Sequence, residues 1–101
     1  MALNEVAEGI KYQGVDESIS YRITTTNWGS DPINPSAQVF DEKEQDATSR
    51  VMPTNSPSVA GDVITVSPLK NLSYGNTYRV EVKFEVGSSV FECFFRVTCE
   101  R

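Results

Sequence analysis

The most informative absence in this 101-residue sequence is histidine, which does not occur at any position. Without histidine the chain lacks the general base of Ser-His-Asp and Cys-His catalysis, and it lacks the usual nitrogen ligand of zinc. Neither the phosphate-binding P-loop motif nor the dinucleotide-binding glycine motif is present. The sequence therefore predicts a protein that is not an enzyme, with no catalytic residue, no metal site, no cofactor and no small-molecule substrate.

One acidic stretch keeps acid–base chemistry and calcium binding open as alternatives. Asp41, Glu42, Glu44 and Asp46 lie close together in the sequence, and paired carboxylates either exchange protons or hold calcium. Their spacing does not match the EF-hand loop, and an acidic stretch between strands is usually a solvated turn. We interpret this stretch as a turn.

Basic residues are few and scattered. The chain has nine Lys and Arg against 14 Asp and Glu, which gives a formal net charge of −5, and no two basic residues are adjacent. Binding to nucleic acid phosphates or to an anionic membrane surface requires clustered basic side chains. We therefore expect neither nucleic acid nor a membrane as a partner.

Long hydrophobic runs are also missing. No stretch approaches the roughly 20 apolar residues of a membrane-spanning helix. The N-terminal sequence MALNEVAEGIKYQG contains Glu5 and Glu8 where a signal peptide has its apolar region. If Met1 is the native start, we expect the chain to be cytoplasmic as synthesised and to leave the cytoplasm only within a larger assembly.

Cysteine occurs only twice, as Cys93 and Cys99. On one continuous strand these two residues point to the same face and lie roughly 20 Å apart, too far for a disulfide. The spacing is not that of a zinc site. We expect Cys93 to be a small buried hydrophobic residue and Cys99 to be a free thiol near a fraying C-terminus, with a disulfide between two chains through Cys99 as the alternative.

What the sequence does contain is alternation of apolar and polar residues with a period of two, the pattern of half-buried β-strands. Loops rich in Gly, Pro, Asn and Asp are predicted at residues 27–35, 41–49 and 53–62. The predicted strands, about seven in all, cover residues 10–12, 19–23, 36–40, 50–52, 63–67, 78–86 and 91–97, the last two forming a hairpin around residues 87–89. This predicts one all-β domain over residues 1–101, a β-sandwich with residues 1–14 as a partly ordered N-terminal segment.

Two aromatic residues are candidates for interaction with a partner. Trp28 lies in the turn-like stretch TNWGSDP, where it is either an exposed recognition residue or a cover over the open end of the sandwich. On the last strand, the alternation sends Phe94 to the face opposite Cys93, which we expect to meet water. An exposed Phe on a terminal edge strand predicts a contact with another subunit.

The stretch LKNLSYGNTYRVEVKF resembles the L-x-x-G-x-x-Y-x-V-x-V signature of fibronectin type III and related immunoglobulin-like domains. The resemblance implies a structural corner formed by Leu72, Gly75 and Tyr78. In that corner Leu72 fills the core under the turn, Gly75 allows the tight turn, and Tyr78 hydrogen-bonds back across it. The expected fold is therefore a single immunoglobulin-like, fibronectin type III-like sandwich of antiparallel strands.

A longer resemblance covers residues 16–100. The Tyr-Arg-Ile strand, the Trp near the loop, Asp-x-Thr before a short strand, DVITVSPLKNL, the Gly-to-Tyr corner and the final hairpin resemble small immunoglobulin-like proteins from the structural gene clusters of tailed phages and prophages. This implies a structural or assembly protein incorporated into a virion, with protein partners that are further copies of itself or other virion proteins. The alternative is a cell-surface or carbohydrate-binding module of a larger secreted protein, with Trp28 and Tyr74 stacking on sugars.

Overall fold

The computed structural model describes residues 10–101 and, for the backbone alone, the two-residue strand Asn4–Glu5. The predicted N-terminal segment 1–14 thus lies partly outside the described residues, which do not include 1–3 and 6–9. In chain order the elements are β1 Asn4–Glu5, β2 Lys11–Gly14, β3 Arg22–Thr24, β4 Ile33–Phe40, α1 Thr48–Val51, β5 Ser58–Ala60, β6 Val63–Thr65, β7 Thr77–Val86 and β8 Ser89–Glu100.

The strands form two sheets around one core. In the larger sheet β7 lies between β4 and β8 and is antiparallel to both, while β1 and β2 both pair in parallel with the other edge of β8. The smaller sheet has the antiparallel order β3-β6-β5. Buried residues of both sheets contribute to one hydrophobic cluster. The prediction of a mostly β chain is confirmed, and the two-sheet arrangement is compatible with a β-sandwich.

The β7–β8 hairpin forms because its two strands alternate in the same register. Val86 pairs with Ser89, which leaves Gly87 and Ser88 as a two-residue turn. The inward positions of both strands are buried, and the charged residues of β7 face away from the core. The buried set is Tyr78, Val80, Val82, Phe84, Cys93, Phe95, Val97 and Cys99. The predicted hairpin is confirmed, with strands a few residues longer than expected.

Three local predictions were wrong. The short strand expected at residues 50–52 is instead part of the single helical turn α1, preceded by an Asp46 carboxylate that accepts a hydrogen bond from the Thr48 amide at 2.9 Å. This turn ends with Val51 and Met52 buried side by side, which a strand would have sent to opposite faces. The loop predicted at residues 53–62 contains β5, and β4 begins at Ile33, inside the loop predicted at residues 27–35.

Candidate interaction surface

Three chain connections meet at one end of the sandwich. Thr24 pairs with Val63, so the β3–β4 loop begins beside the β5–β6 turn. Ile33 pairs with Glu85, so the same loop ends beside the β7–β8 turn. We call this region, residues 25–34, 61–62 and 85–90, the Trp28 end.

Asp62 holds the β3–β4 loop against the smaller sheet. Its backbone carbonyl accepts a hydrogen bond from the Thr25 amide at 2.7 Å. Its carboxylate accepts one from the Asp31 amide at 3.2 Å and one from the Thr26 hydroxyl at 3.3 Å. These three hydrogen bonds hold the start and the middle of the loop against the β5–β6 turn.

Trp28 lies half-buried at the centre of this end. Its ring meets the fully buried Phe84 edge to face, with 6.0 Å between ring centroids, and Phe84 in turn stacks on Phe91 at 5.8 Å. Edge-to-face contacts of this kind stabilise beyond the area they bury. The ring of Trp28 thus packs against the core, and part of it remains accessible to solvent.

Gly29, next to Trp28, lets the loop lie directly on the hairpin. A Cβ atom at this position would lie 2.6 Å from Cγ1 of Val86, and the backbone has φ = +151°, which residues with a Cβ rarely adopt. The close approach of the loop to β7 therefore depends on the missing side chain.

Gly29→Ala is expected to lower the free energy of unfolding by about 1 to 2 kcal/mol, because Val86 must move and the backbone is strained. Gly61→Ala is the matched control, since Gly61 also has positive φ but has nothing within 4 Å of the added Cβ. Urea unfolding of both variants and of Gly29→Ala/Val86→Ala measures the difference. Equal losses for Gly29→Ala and Gly61→Ala, with no recovery in the double variant, would contradict the close approach.

Two exposed apolar side chains lie on the outer surface of this end. Ile33 and Val90 are 50% and 40% exposed, and both pair with Glu85 in one row across β4, β7 and β8. Residues directly opposite one another share a face of the sheet, so the two apolar side chains flank the carboxylate of Glu85. The Trp28 end therefore offers apolar surface next to negative charge.

Phe94 lies on the face opposite Cys93, as the alternation predicts, but it is not an exposed residue of an edge strand. Strand β8 is not an edge strand, because β1 and β2 pair with its outer side and Glu5 is the partner of Phe94. Phe94 is half-buried, and the guanidinium carbon of Arg96 lies 5.3 Å from its ring centroid. Cation–π packing of this kind covers the ring face. The prediction of an exposed Phe on an edge strand was wrong.

The opposite edge of the larger sheet, strand β4, is also covered. The Val39 amide donates to Oγ1 of Thr48 at 2.9 Å, and the Val39 carbonyl accepts from the Ala47 amide at 2.8 Å. The Ala37 carbonyl accepts from the side chain of Asn55 at 2.9 Å, and Pro35 has no amide proton to offer. Such capping prevents a further strand from adding to the sheet.

The corner residues lie at the other end of β7. Leu72 and Tyr78 are buried, and Gly75 has φ = +85°. The hydroxyl of Tyr78 accepts a hydrogen bond from the Ser73 amide at 2.9 Å. This bond runs back across the turn that leads into β7.

Both cysteines are free and buried on the inward face of β8. Cys99 does not lie in a fraying terminus as predicted, because β8 continues to Glu100, β2 pairs beside it, and the Cys99 amide donates to the Asn76 carbonyl at 2.9 Å. Burial raises the pKa of the Cys93 thiol to about 11. Burial and the neighbouring Glu100 also raise the pKa of Cys99.

Neither thiol of the folded protein is expected to react with a thiol reagent near neutral pH, because both are inaccessible and protonated. In urea both should react at once, and the slow native reaction should follow the unfolding equilibrium. Time courses with a chromogenic disulfide reagent, on the native chain and on Cys99→Ser, measure this. Rapid labelling of one thiol in the native chain, lost in Cys99→Ser, would show that Cys99 is accessible after all.

The acidic stretch 41–46 forms a turn whose carboxylates bind groups of the chain itself. Asp41 accepts from the amides of Lys43 and Gln45, and Glu42 accepts from the Thr77 amide at 2.7 Å. Glu44 lies 2.8 Å from the Arg79 guanidinium, and its hydrogen bond to that group lowers the pKa of Glu44. Within residues 10–101, no group of three or more potential metal ligands is arranged to hold an ion.

A depression of about 330 Å³ lies on the outer face of the larger sheet. Polar side chains of both charges line it, and it contains none of the predicted site residues. The polar lining residues are Ser36, Gln38, Glu81, Lys83 and Glu92.

Neither a protein-family model nor a curated protein matches the sequence. Across the part of the chain that the structure describes, no helix has the length and apolar character needed to cross a membrane.

Three features characterise the Trp28 end. They are a loop that Asp62 holds by hydrogen bonds, a half-buried Trp, and two exposed apolar residues beside a carboxylate.

Proposed function

We propose that this chain is an immunoglobulin-like, fibronectin type III-like sandwich and a non-enzymatic structural or assembly protein of a phage or prophage virion. It acts through contacts with other proteins. The observation that carries the proposal is the Trp28 end, where a loop held by Asp62 leaves part of Trp28 accessible and where Ile33 and Val90 are exposed on the outer face of the larger sheet. Aromatic and apolar residues on a preorganised surface are typical of protein interfaces.

The strand order supports the immunoglobulin-like type. With β3 to β8 taken as strands B to G of that sandwich, the two sheets have the orders B-E-D and C-F-G. Strands β1 and β2 pair with β8, the strand taken as G, and not with β3, the strand taken as B. The hydrogen bond from the Ser73 amide to Tyr78 adds the corner of the same type.

The outer sides of β4 and β8 are both occupied, which disfavours these two strands as the contact. Strand β4 is capped by Thr48 and Asn55, and β8 is covered by β1 and β2. Addition of a partner strand directly to β4 or to β8 would require these contacts to break. The Trp28 end requires no such change.

In the alternative function, a carbohydrate-binding module, Trp28 and Tyr74 would bind sugars at two separate sites. Tyr74 is 64% exposed, but it lies before the start of β7, and the Trp28 end lies where β7 finishes. Ten residues of strand span about 30 Å, so these two aromatic rings are too far apart to stack on one sugar.

The virion assignment is tested by protein mass spectrometry of particles purified from the source bacterium after prophage induction. We expect the chain in the particles at a fixed ratio to the major structural proteins, through repeated gradient purification. Its presence only in the soluble cell fraction would contradict a role in the virion.

A further inference from the structure

The Trp28 end differs from the rest of the chain in its charge. It contains Asp31, Asp62 and Glu85 and no Lys or Arg, whereas all nine basic residues lie elsewhere. On the larger sheet, the basic residue nearest to the Trp28 end is Lys83. It lies two residues before Glu85 on β7 and is further from that end. The other end mixes both signs, with Lys43, Arg50, Lys70 and Arg101 among its acidic residues.

Among residues 10–101, no ion pair is found at these three carboxylates. Asp62 accepts hydrogen bonds from the loop, and Glu85 has a long contact of 3.4 Å with the side-chain amide of Asn34. Among residues 10–101, the described ion pairs are those of Arg79 with Glu44 and Glu81, nearer the other end of β7. The negative charge of the Trp28 end therefore faces outward.

We infer that the Trp28 end binds a partner protein surface on which Lys or Arg side chains surround an apolar residue. The apolar residue would contact Ile33 and Val90, which flank Glu85 on the outer face of the sheet, and the basic side chains would pair with Asp31 and Glu85. This inference rests on the proposed function and specifies the chemistry of the partner.

A second Trp28 end does not fit this surface. A symmetric contact between two Trp28 ends would bring Asp31, Asp62 and Glu85 of both copies into one interface, and like charges across an interface are unfavourable. The inferred partner therefore presents a surface of the opposite charge.

The experiment uses a displayed library of short random peptides as the probe, selected against the full chain at low ionic strength. The test variant is Asp31→Asn/Glu85→Gln, and the matched control is Asp16→Asn/Glu100→Gln, which changes the net charge equally at the other end. Thermal unfolding of both double variants is measured first and should be the same as that of the unmodified chain. We expect the selected peptides to be rich in Lys or Arg with apolar residues, to bind the test variant about fivefold more weakly, and to bind the control unchanged.

The outcomes separate this inference from the proposed function. The inference is overturned if the selected peptides have no excess of Lys or Arg, or if both double variants lose the same amount of peptide affinity. The proposed binding to a protein through another surface would then still stand. Self-association of the chain lost in Asp31→Asn/Glu85→Gln also overturns it, because the occupant would then be a second copy. If no peptide binds the folded chain selectively, the inference and the proposed contact function both fail.

Discussion

Gln13→Leu is expected to lower the free energy of unfolding by about 2 to 4 kcal/mol, because it removes the three hydrogen bonds of a buried side chain. Gln13 lies on β2 and is 1% exposed. Its amide nitrogen donates to the Leu69 carbonyl at 2.6 Å and to the Glu17 carbonyl at 2.9 Å, while its oxygen accepts from the Tyr21 hydroxyl at 2.9 Å. One side chain thus joins β2 to the segment that leads into β3 and to the segment that follows β6.

Tyr21→Phe is the matched control for Gln13→Leu, since it removes one of these hydrogen bonds and should cost about 1 kcal/mol. Urea unfolding of both single variants and of the double variant measures the coupling between the two residues. If Gln13→Leu is as stable as the unmodified chain, the hydrogen-bonded arrangement around Gln13 is wrong.

The same arrangement predicts a pH dependence. Burial, with a smaller effect from Glu17, raises the pKa of Tyr21 to about 12 from its ordinary value near 10. The protonated hydroxyl is favoured in the folded chain, so its contribution to stability is complete below about pH 10 and is lost as the pH rises toward 12. In Tyr21→Phe the fall of stability over this range should be smaller.

Phe84→Ala is expected to cost about 3 to 5 kcal/mol, because it empties a fully buried position between Trp28 and Phe91. It should also change the Trp28 end directly, since Phe84 supports the indole ring. Trp28 is the only tryptophan in the chain, so its fluorescence reports on this site alone. We expect a shift of the emission to longer wavelength in the folded variant.

Phe84→Leu keeps most of the side-chain volume and should lose less stability with a smaller spectral shift. Fluorescence is recorded at low temperature, where the variants remain folded, and stability is measured in urea. An unchanged emission maximum in folded Phe84→Ala would contradict the packing of Trp28 on the core.

The sequence predicted the parts of the fold that depend on local alternation. The apolar positions of β7 and β8 repeat with a period of two and surround a short turn at Gly87, so the hairpin follows from residues close together in the chain. Even for this hairpin, the alternation does not show which other strands pair with β8. The wrong expectation for Phe94 arose because β1 and β2, from the far end of the chain, cover the edge of β8.

The Trp28 end could be predicted only in part. The loop and its Trp were visible as a turn-like stretch, but Asp62, which holds the loop, lies 36 residues from Thr26. Likewise Ile33 and Val90 become neighbours of Glu85 only through the pairing of three strands. A site built from three connections depends on tertiary pairing, which a pattern along the chain does not contain.

The claim that the chain works through contacts at the Trp28 end is tested most directly by photo-crosslinking in its native cells. A benzophenone amino acid replaces Ile33 in one variant of the chain and Tyr74 in a second variant. Both residues are well exposed and lie at opposite ends of the sandwich. The account predicts a discrete crosslinked protein adduct from position 33 and none from position 74. An adduct from position 74 alone, or from neither position, would contradict it.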